Sequence, residues 1–213
     1  MNREFKVYNL FPTPVFQNFI DLEKYNLEEL YNTDYELMES ENGKLTKDKY
    51  ILDKEQFKEL KKEIMYNLEL YTKNFLKVDD THLEWYLQNS WVNKHEKGDW
   101  GQSHFHANSL ISGVLYLRTN EKSGNIIFES PTNHRPIFPV SCNLPFSELT
   151  IDNCNLYSLE PKNGMIILFP SSLLHGIKAN ISDMDRYSMA FNFHIEGELL
   201  SKKSQIDYLK IRR

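Results

Sequence analysis

Apolar positions in this chain follow two different periods. Between Asp53 and about Lys77, Phe57, Leu60, Ile64, Leu68, Tyr71 and Phe75 recur at three- and four-residue steps, with lysines and glutamates between them. That spacing predicts an amphipathic helix with one buried face, with Asp53 as its N-cap and Gln56 in the capping-box position. Such a helix supports a sheet rather than forming a site. Upstream, residues 5–20 alternate around Pro12 and Pro14, which suits an edge strand containing a turn. Asp21 to about Met38 is weakly helical in pattern.

Beyond Val78 the period shortens. Aromatic and β-branched runs stand at His82–Asn93, Leu110–Arg118, Asn125–Glu129, Asn155–Glu160, Met165–Phe169, Gly176–Asn180 and Tyr187–Ile195. Turn signals separate them: Lys97-Gly98-Asp99, Ser123-Gly124-Asn125, Lys162-Asn163-Gly164 and Ser182-Asp183. Short strands at such intervals predict a mainly β architecture, a sandwich or barrel, with flanking helices. One long segment breaks the pattern. Ser130 to Asn153 carries Pro131, Pro136, Pro139 and Pro145 without a clear period, and loops of that length are usually functional or mobile.

At 213 residues, the chain suits one domain. Residues 1–80 form an N-terminal strand and supporting helices, 81–196 the β core, and 197–213 a solvated tail. Thirteen Phe, 12 Tyr and 3 Trp exclude a disordered coil. The net charge of −5 speaks against a nucleic-acid partner. No apolar run reaches the roughly 20 residues of a membrane span, and Met1–Lys6 does not read as a secretory leader. A cytoplasmic setting is expected, with Cys142 and Cys154 as reduced thiols. Oligomeric state is not legible.

The chemistry concentrates in a few side chains. In extended chain, residues i and i+2 share a face, so His104 and His106 can meet one metal ion. His175 lies where an apolar strand turns at Pro170 and re-enters the sheet, a place that aims a side chain into a barrel mouth. Eleven residues on, Arg186 opens a strand in which Arg186, Ser188, Ala190 and Asn192 share a face. An arginine on the inside of a barrel needs an anionic partner, and a bound carboxylate gripped bidentately is one. A protein carboxylate is another. His82, His95, His134 and His194 read as surface or structural histidines, and His134-Arg135 as a weaker substrate contact.

Taken in order, His104-x-His106, Ser112-Gly113-Val114-Leu115-Tyr116-Leu117, Gly164…Phe169-Pro170-Ser171…His175 and Arg186-x-Ser188 resemble the iron(II)- and 2-oxoglutarate-dependent oxygenases. Trp91-Val92-Asn93 ahead of the histidine pair is similar to a branch of that superfamily found in bacteria and tailed phages. The resemblance spans about residues 88–195. It implies a double-stranded β-helix, or jelly roll, with Fe(II) as cofactor and 2-oxoglutarate as co-substrate. It also implies a second, unidentified substrate, a protein or small molecule, that is hydroxylated. By the same resemblance His104, His106 and His175 hold the metal. Arg186 clamps the distal carboxylate of 2-oxoglutarate with Ser188 and Tyr116, while Asn93 and Asn192 line the same pocket.

Position 106 departs from the usual arrangement of two histidines and one carboxylate. Three neutral ligands leave the centre one unit more positive. Asn108, Asp99 and Glu129 are the alternatives that would change the ligand set. The motifs also resemble those of cupins, which share the jelly roll but lack the Arg186-x-Ser188 requirement. The cupin glutamate is missing after His106, which favours the oxygenase reading over a cupin-type metal protein without 2-oxoglutarate chemistry or a non-enzymatic binding protein.

Overall fold

The computed structural model describes residues 6–9, 11–38, 42–131, 145–201 and 204–211. Alternation along the chain builds two antiparallel sheets whose inner faces pack together, the arrangement of a jelly roll. The larger sheet contains β1 (Phe16–Phe19), β2 (Tyr35–Leu37), β3 (Lys44–Thr46) and β4 (Leu83–His95). It also contains β6 (Ile111–Arg118), β9 (Met165–Pro170), β11 (Arg186–Ser201) and β12 (Ser204–Ile211). Its order is β1-β9-β6-β11-β4-β3-β2, with β12 added to the far end of β11. The smaller sheet has β5 (Gly101–His104), β7 (Ile126–Glu129), β8 (Leu156–Leu159) and β10 (His175–Ile177), in the order β5-β10-β7-β8.

Two cores follow from the two faces of the larger sheet. Leu115, Leu117, Ile166, Leu168, Met189, Phe191 and Phe193 face outward onto helix α2 (Lys58–Glu69), which buries Leu60, Ile64 and Leu68 against them. Val114, Tyr116, Met165, Ile167 and Phe169 face inward and meet Ile126 and Phe128 of the smaller sheet. Each fully buried aliphatic or aromatic side chain contributes about 1.5–3 kcal/mol. The outer core anchors the sheet, and the inner one leaves room beside it.

Several expectations change. The helix does not begin at Asp53: residues 51–53 and 55–57 are single 3-10 turns and α2 starts at Lys58. The Asp53 carboxylate pairs with Lys61 at 2.7 Å, and Gln56 donates to Glu29, so neither caps. After Glu69 the helix widens into a π turn over Leu70–Phe75, where Phe75 is exposed while stacked on Tyr71. Asp21–Met38 holds only a 3-10 turn, the one-turn α1 (Glu28–Tyr31), and then β2. In place of a solvated tail, β11 and β12 form an antiparallel pair. Cys154 carries a free thiol, while Cys142, His134 and Arg135 lie outside the described residues. No helix among the described residues is long and apolar enough to cross a membrane.

Candidate active site

The three predicted histidines converge. His104 ends β5 and is the register partner of His175, which opens β10. His106 sits two residues past the strand, where its backbone N–H donates to the Ser171 carbonyl at 2.9 Å. Phe105, between them, points the other way and is exposed. One nitrogen from each ring lies within 4.8 Å of the others, and among the described residues this is the only such cluster of histidine, cysteine and acidic side chains.

Backbone carbonyls set the ring orientations. Nδ1 of His175 lies 2.9 Å from the Leu173 carbonyl and Nδ1 of His104 lies 2.8 Å from that of Gln102. A carbonyl only accepts, so Nδ1 carries the proton in both rings and Nε2 keeps its lone pair. Burial, with the neighbouring histidines adding to it, pushes His106 down to about 4 and His175 to about 3. Three rings whose nitrogens converge on a common point, two of them held neutral at physiological pH, fit a divalent transition metal. Neither alternative carboxylate joins them: Asp99 accepts from the Glu96 N–H at 2.8 Å, and Glu129 is engaged by the Ser103 hydroxyl. Asn108 does not line the cavity.

That cavity, about 820 Å³, runs from the histidines across the inner face of β4, β11 and β6. Register turns its floor into rows. Asn89, Asn192 and Ser112 stand side by side; next come Trp91, Ala190 and Val114; then Asn93, Ser188 and Tyr116. Small Ala190 in the middle leaves space. In the first row Ser112 Oγ donates to Asn192 Oδ1 at 2.7 Å, and Asn192 Nδ2 donates to Asn89 Oδ1 at 2.9 Å. The amide of Asn192 is therefore used inside the protein, and its place is to brace the row. Asn93 differs. The Trp91 indole N–H can only donate, so at 2.8 Å it fixes Asn93 Oδ1 as acceptor and leaves the amide NH2 as a donor.

Arg186 lies one pleat beyond Ser188 and is wholly buried. It does not line the cavity as the sequence suggested, because the lining stops at the row of Ser188 and Tyr116. Its Nη1 donates to the carbonyls of Ser123 and Gly124, each at 3.2 Å, and its Nη2 to Nδ1 of His95 at 3.0 Å. Gly124 turns with φ near 85°, a conformation that favours glycine, and a side chain there would run into the Lys178 carbonyl. Arg186 is near enough to Tyr116 that its charge opposes the burial that pushes that phenol up to about 12. Ser188 Oγ is buried with no hydrogen-bond partner. A hydroxyl left wanting beside a buried guanidinium fits an incoming carboxylate oxygen, which is the requirement of a dicarboxylic co-substrate.

His95, expected as a surface or structural histidine, is buried and bonded to Arg186. Asn89, Trp91, Asn93 and His95 alternate along β4, so the ring belongs to the same inner face.

Residues 89–192 match the family model described as "Putative 2OG-Fe(II) oxygenase". Comparison with curated proteins gives no match. Among solved structures, a Pseudomonas putida prolyl-4-hydroxylase is similar at TM-score 0.57 and 12% identity, over 87% of this chain and 95% of that one. HygX from Streptomyces hygroscopicus, solved with nickel and 2-oxoglutarate, gives 0.56 and 13% over 85% and 82%. An oxidoreductase of the 2OG-Fe(II) oxygenase family from Burkholderia pseudomallei gives 0.52 and 11% over 77% and 73%. At these identities the structures speak for the shared fold. The family match falls on the strands that build the cavity. The histidine cluster and the orphaned serine suit the metal and co-substrate of that family, and residues 89–192, which carry the site, are similar to the 2OG-Fe(II) oxygenases.

Proposed function

We propose that the chain is a hydroxylase in which His104, His106 and His175 hold Fe(II) while Arg186, Ser188 and Tyr116 receive the distal carboxylate of 2-oxoglutarate. The convergence of three imidazoles at one end of a cavity that has a buried guanidinium behind the other carries this reading. Iron(II), when bound, supplies the oxygen chemistry that couples decarboxylation of 2-oxoglutarate to oxidation of a substrate C–H bond.

The chain's own residues hold and orient. Leu173 and Gln102 carbonyls keep two rings in the tautomer that can ligate. Three neutral ligands cancel none of the metal charge, so anionic ligands gain where a carboxylate ligand would repel them. Ala190 and Val114 leave the floor open for a chain of methylenes. Asn93 offers a fixed N–H donor on the same wall. Holding the co-substrate at both ends removes its freedom to turn away from the metal, a positioning contribution. At the outer wall, Lys49 pairs with Glu36 at 2.8 Å beside Trp91 and Asn89, which makes this edge the side for the second substrate.

The test is spectroscopic. Anaerobic protein loaded with Fe(II) is expected to develop a visible charge-transfer band on addition of 2-oxoglutarate, and Arg186→Ala to lose it at the same co-substrate concentration. A wild-type protein with stoichiometric iron and no band would overturn the reading.

A further inference from the structure

The guanidinium of Arg186 has a partner that no role has yet been given to. His95 closes β4 as the register partner of Arg186, and both side chains are buried, at 1% and 0% exposure. Nη2 of Arg186 lies 3.0 Å from Nδ1 of His95. Arginine has no acceptor, so the bond exists only if Nδ1 holds a lone pair and the proton sits on Nε2. On its far side the ring abuts Gly43, where an added Cβ would fall 3.1 Å from Cδ2 and 3.2 Å from Nε2. The ring is thus gripped between a backbone with no room for a side chain and the cation it faces.

We propose that His95 is the positioning residue for the co-substrate arginine, holding the guanidinium plane so that it meets the distal carboxylate of 2-oxoglutarate. This rests on the assignment of Arg186 made above. Two backbone carbonyls hold Nη1 and one imidazole nitrogen holds Nη2, so the plane is defined from both ends. A neutral acceptor has an advantage over aspartate or glutamate at this point. It orients the cation without adding a negative charge at the edge where a carboxylate must bind. Burial first, and Arg186 second, hold His95 down to about 3, so the acceptor persists across the physiological range.

The experiment measures 2-oxoglutarate binding calorimetrically on Mn(II)-loaded protein, independently of turnover. His95→Phe removes the acceptor and is expected to weaken 2-oxoglutarate binding about tenfold or more, with Mn(II) affinity and far-UV circular dichroism unchanged. His95→Gln, which offers Oε1, is expected to recover most of that loss. His95→Phe folded and binding within twofold of wild type, while Arg186→Gln is impaired, overturns the role of His95 alone. Arg186→Gln binding normally overturns the arginine assignment and this proposal with it. Nitrogen NMR of the wild-type imidazole decides the matter even if His95→Phe fails to fold: Nδ1 is expected as an unprotonated, hydrogen-bonded acceptor, and a protonated Nδ1 overturns the proposal.

Discussion

His175 and His95 make an instructive pair. Both rings are buried in the same jelly roll, both are held neutral to about pH 3 chiefly by burial, and each is fixed through Nδ1. The fixing runs in opposite directions. His175 donates from Nδ1 to a backbone carbonyl, which leaves Nε2 with a lone pair at the cavity. His95 accepts at Nδ1 from a guanidinium, which puts the proton on Nε2. One ring is therefore left with a nitrogen able to ligate a metal, and the other accepts from a cation. The residue type and the burial are alike; only the identity of the hydrogen-bond partner separates a ring able to ligate a metal from one that braces a cation.

Swapping the outcomes of the two rings is the hardest test of that contrast. His175→Ala is expected to lower metal affinity more than about a hundredfold, since loss of a ligand should exceed the 10- to 100-fold typical of second-sphere changes. His95→Gln should leave metal content unchanged. Metal analysis after gel filtration measures both, and full occupancy in His175→Ala removes that residue from the centre. Next in size is Arg186→Gln. Loss of a charge-assisted carboxylate grip should weaken 2-oxoglutarate binding on the order of a hundredfold while metal content stays normal. Calorimetry on Mn(II)-loaded protein reads it, and an unchanged dissociation constant would move the carboxylate site elsewhere.

Much of this site was legible because its spacing is local. His104-x-His106 and Arg186-x-Ser188 announce shared faces by parity, and the turn at Pro170 announces His175. What escaped is structure supplied by partners. Lys44–Thr46 is a strand because β4 offers it an edge, Tyr35–Leu37 because β3 does in turn, and Gly101–His104 because β10 does. None of the three has β-branched density of its own, apart from Thr46. Ser204–Ile211 reads as solvated chain until β11 extends far enough to pair with it. The bond between His95 and Arg186 escaped for a narrower reason: the predicted strand stopped at Asn93, one alternation short. The depth of Arg186 was beyond sequence altogether, because the turn between β6 and β7 that receives its Nη1 at Gly124 stands 62 residues earlier in the chain.

Acidity gives a smaller and cleaner test of the supporting ring. Folded His95 titrates near 3 against about 6.5 in the unfolded chain. Between those values the unfolded chain binds a proton that the folded chain refuses, so its contribution is complete above about pH 6.5 and is lost as pH falls toward 3. The slope for one group approaches about 1.4 kcal/mol per pH unit. Urea unfolding of metal-free protein between pH 6 and 4 should therefore show a shallower dependence in His95→Gln than in wild type. Equal slopes would mean that His95 is solvated or already charged in the folded protein.

The smallest effect isolates the co-substrate end from the fold around it. Ser188 Oγ is buried and bonds to nothing among the described residues, so in the empty protein it is a cost rather than a support. Ser188→Ala should leave the melting temperature unchanged or slightly raised. If the hydroxyl donates to the incoming carboxylate, the same change should weaken 2-oxoglutarate binding by about threefold to thirtyfold. The two readouts move in opposite directions only for a group kept unsatisfied for a ligand. A structural serine would lose stability and leave binding alone, and that result would place the carboxylate away from the row that Ser188 shares with Asn93 and Tyr116.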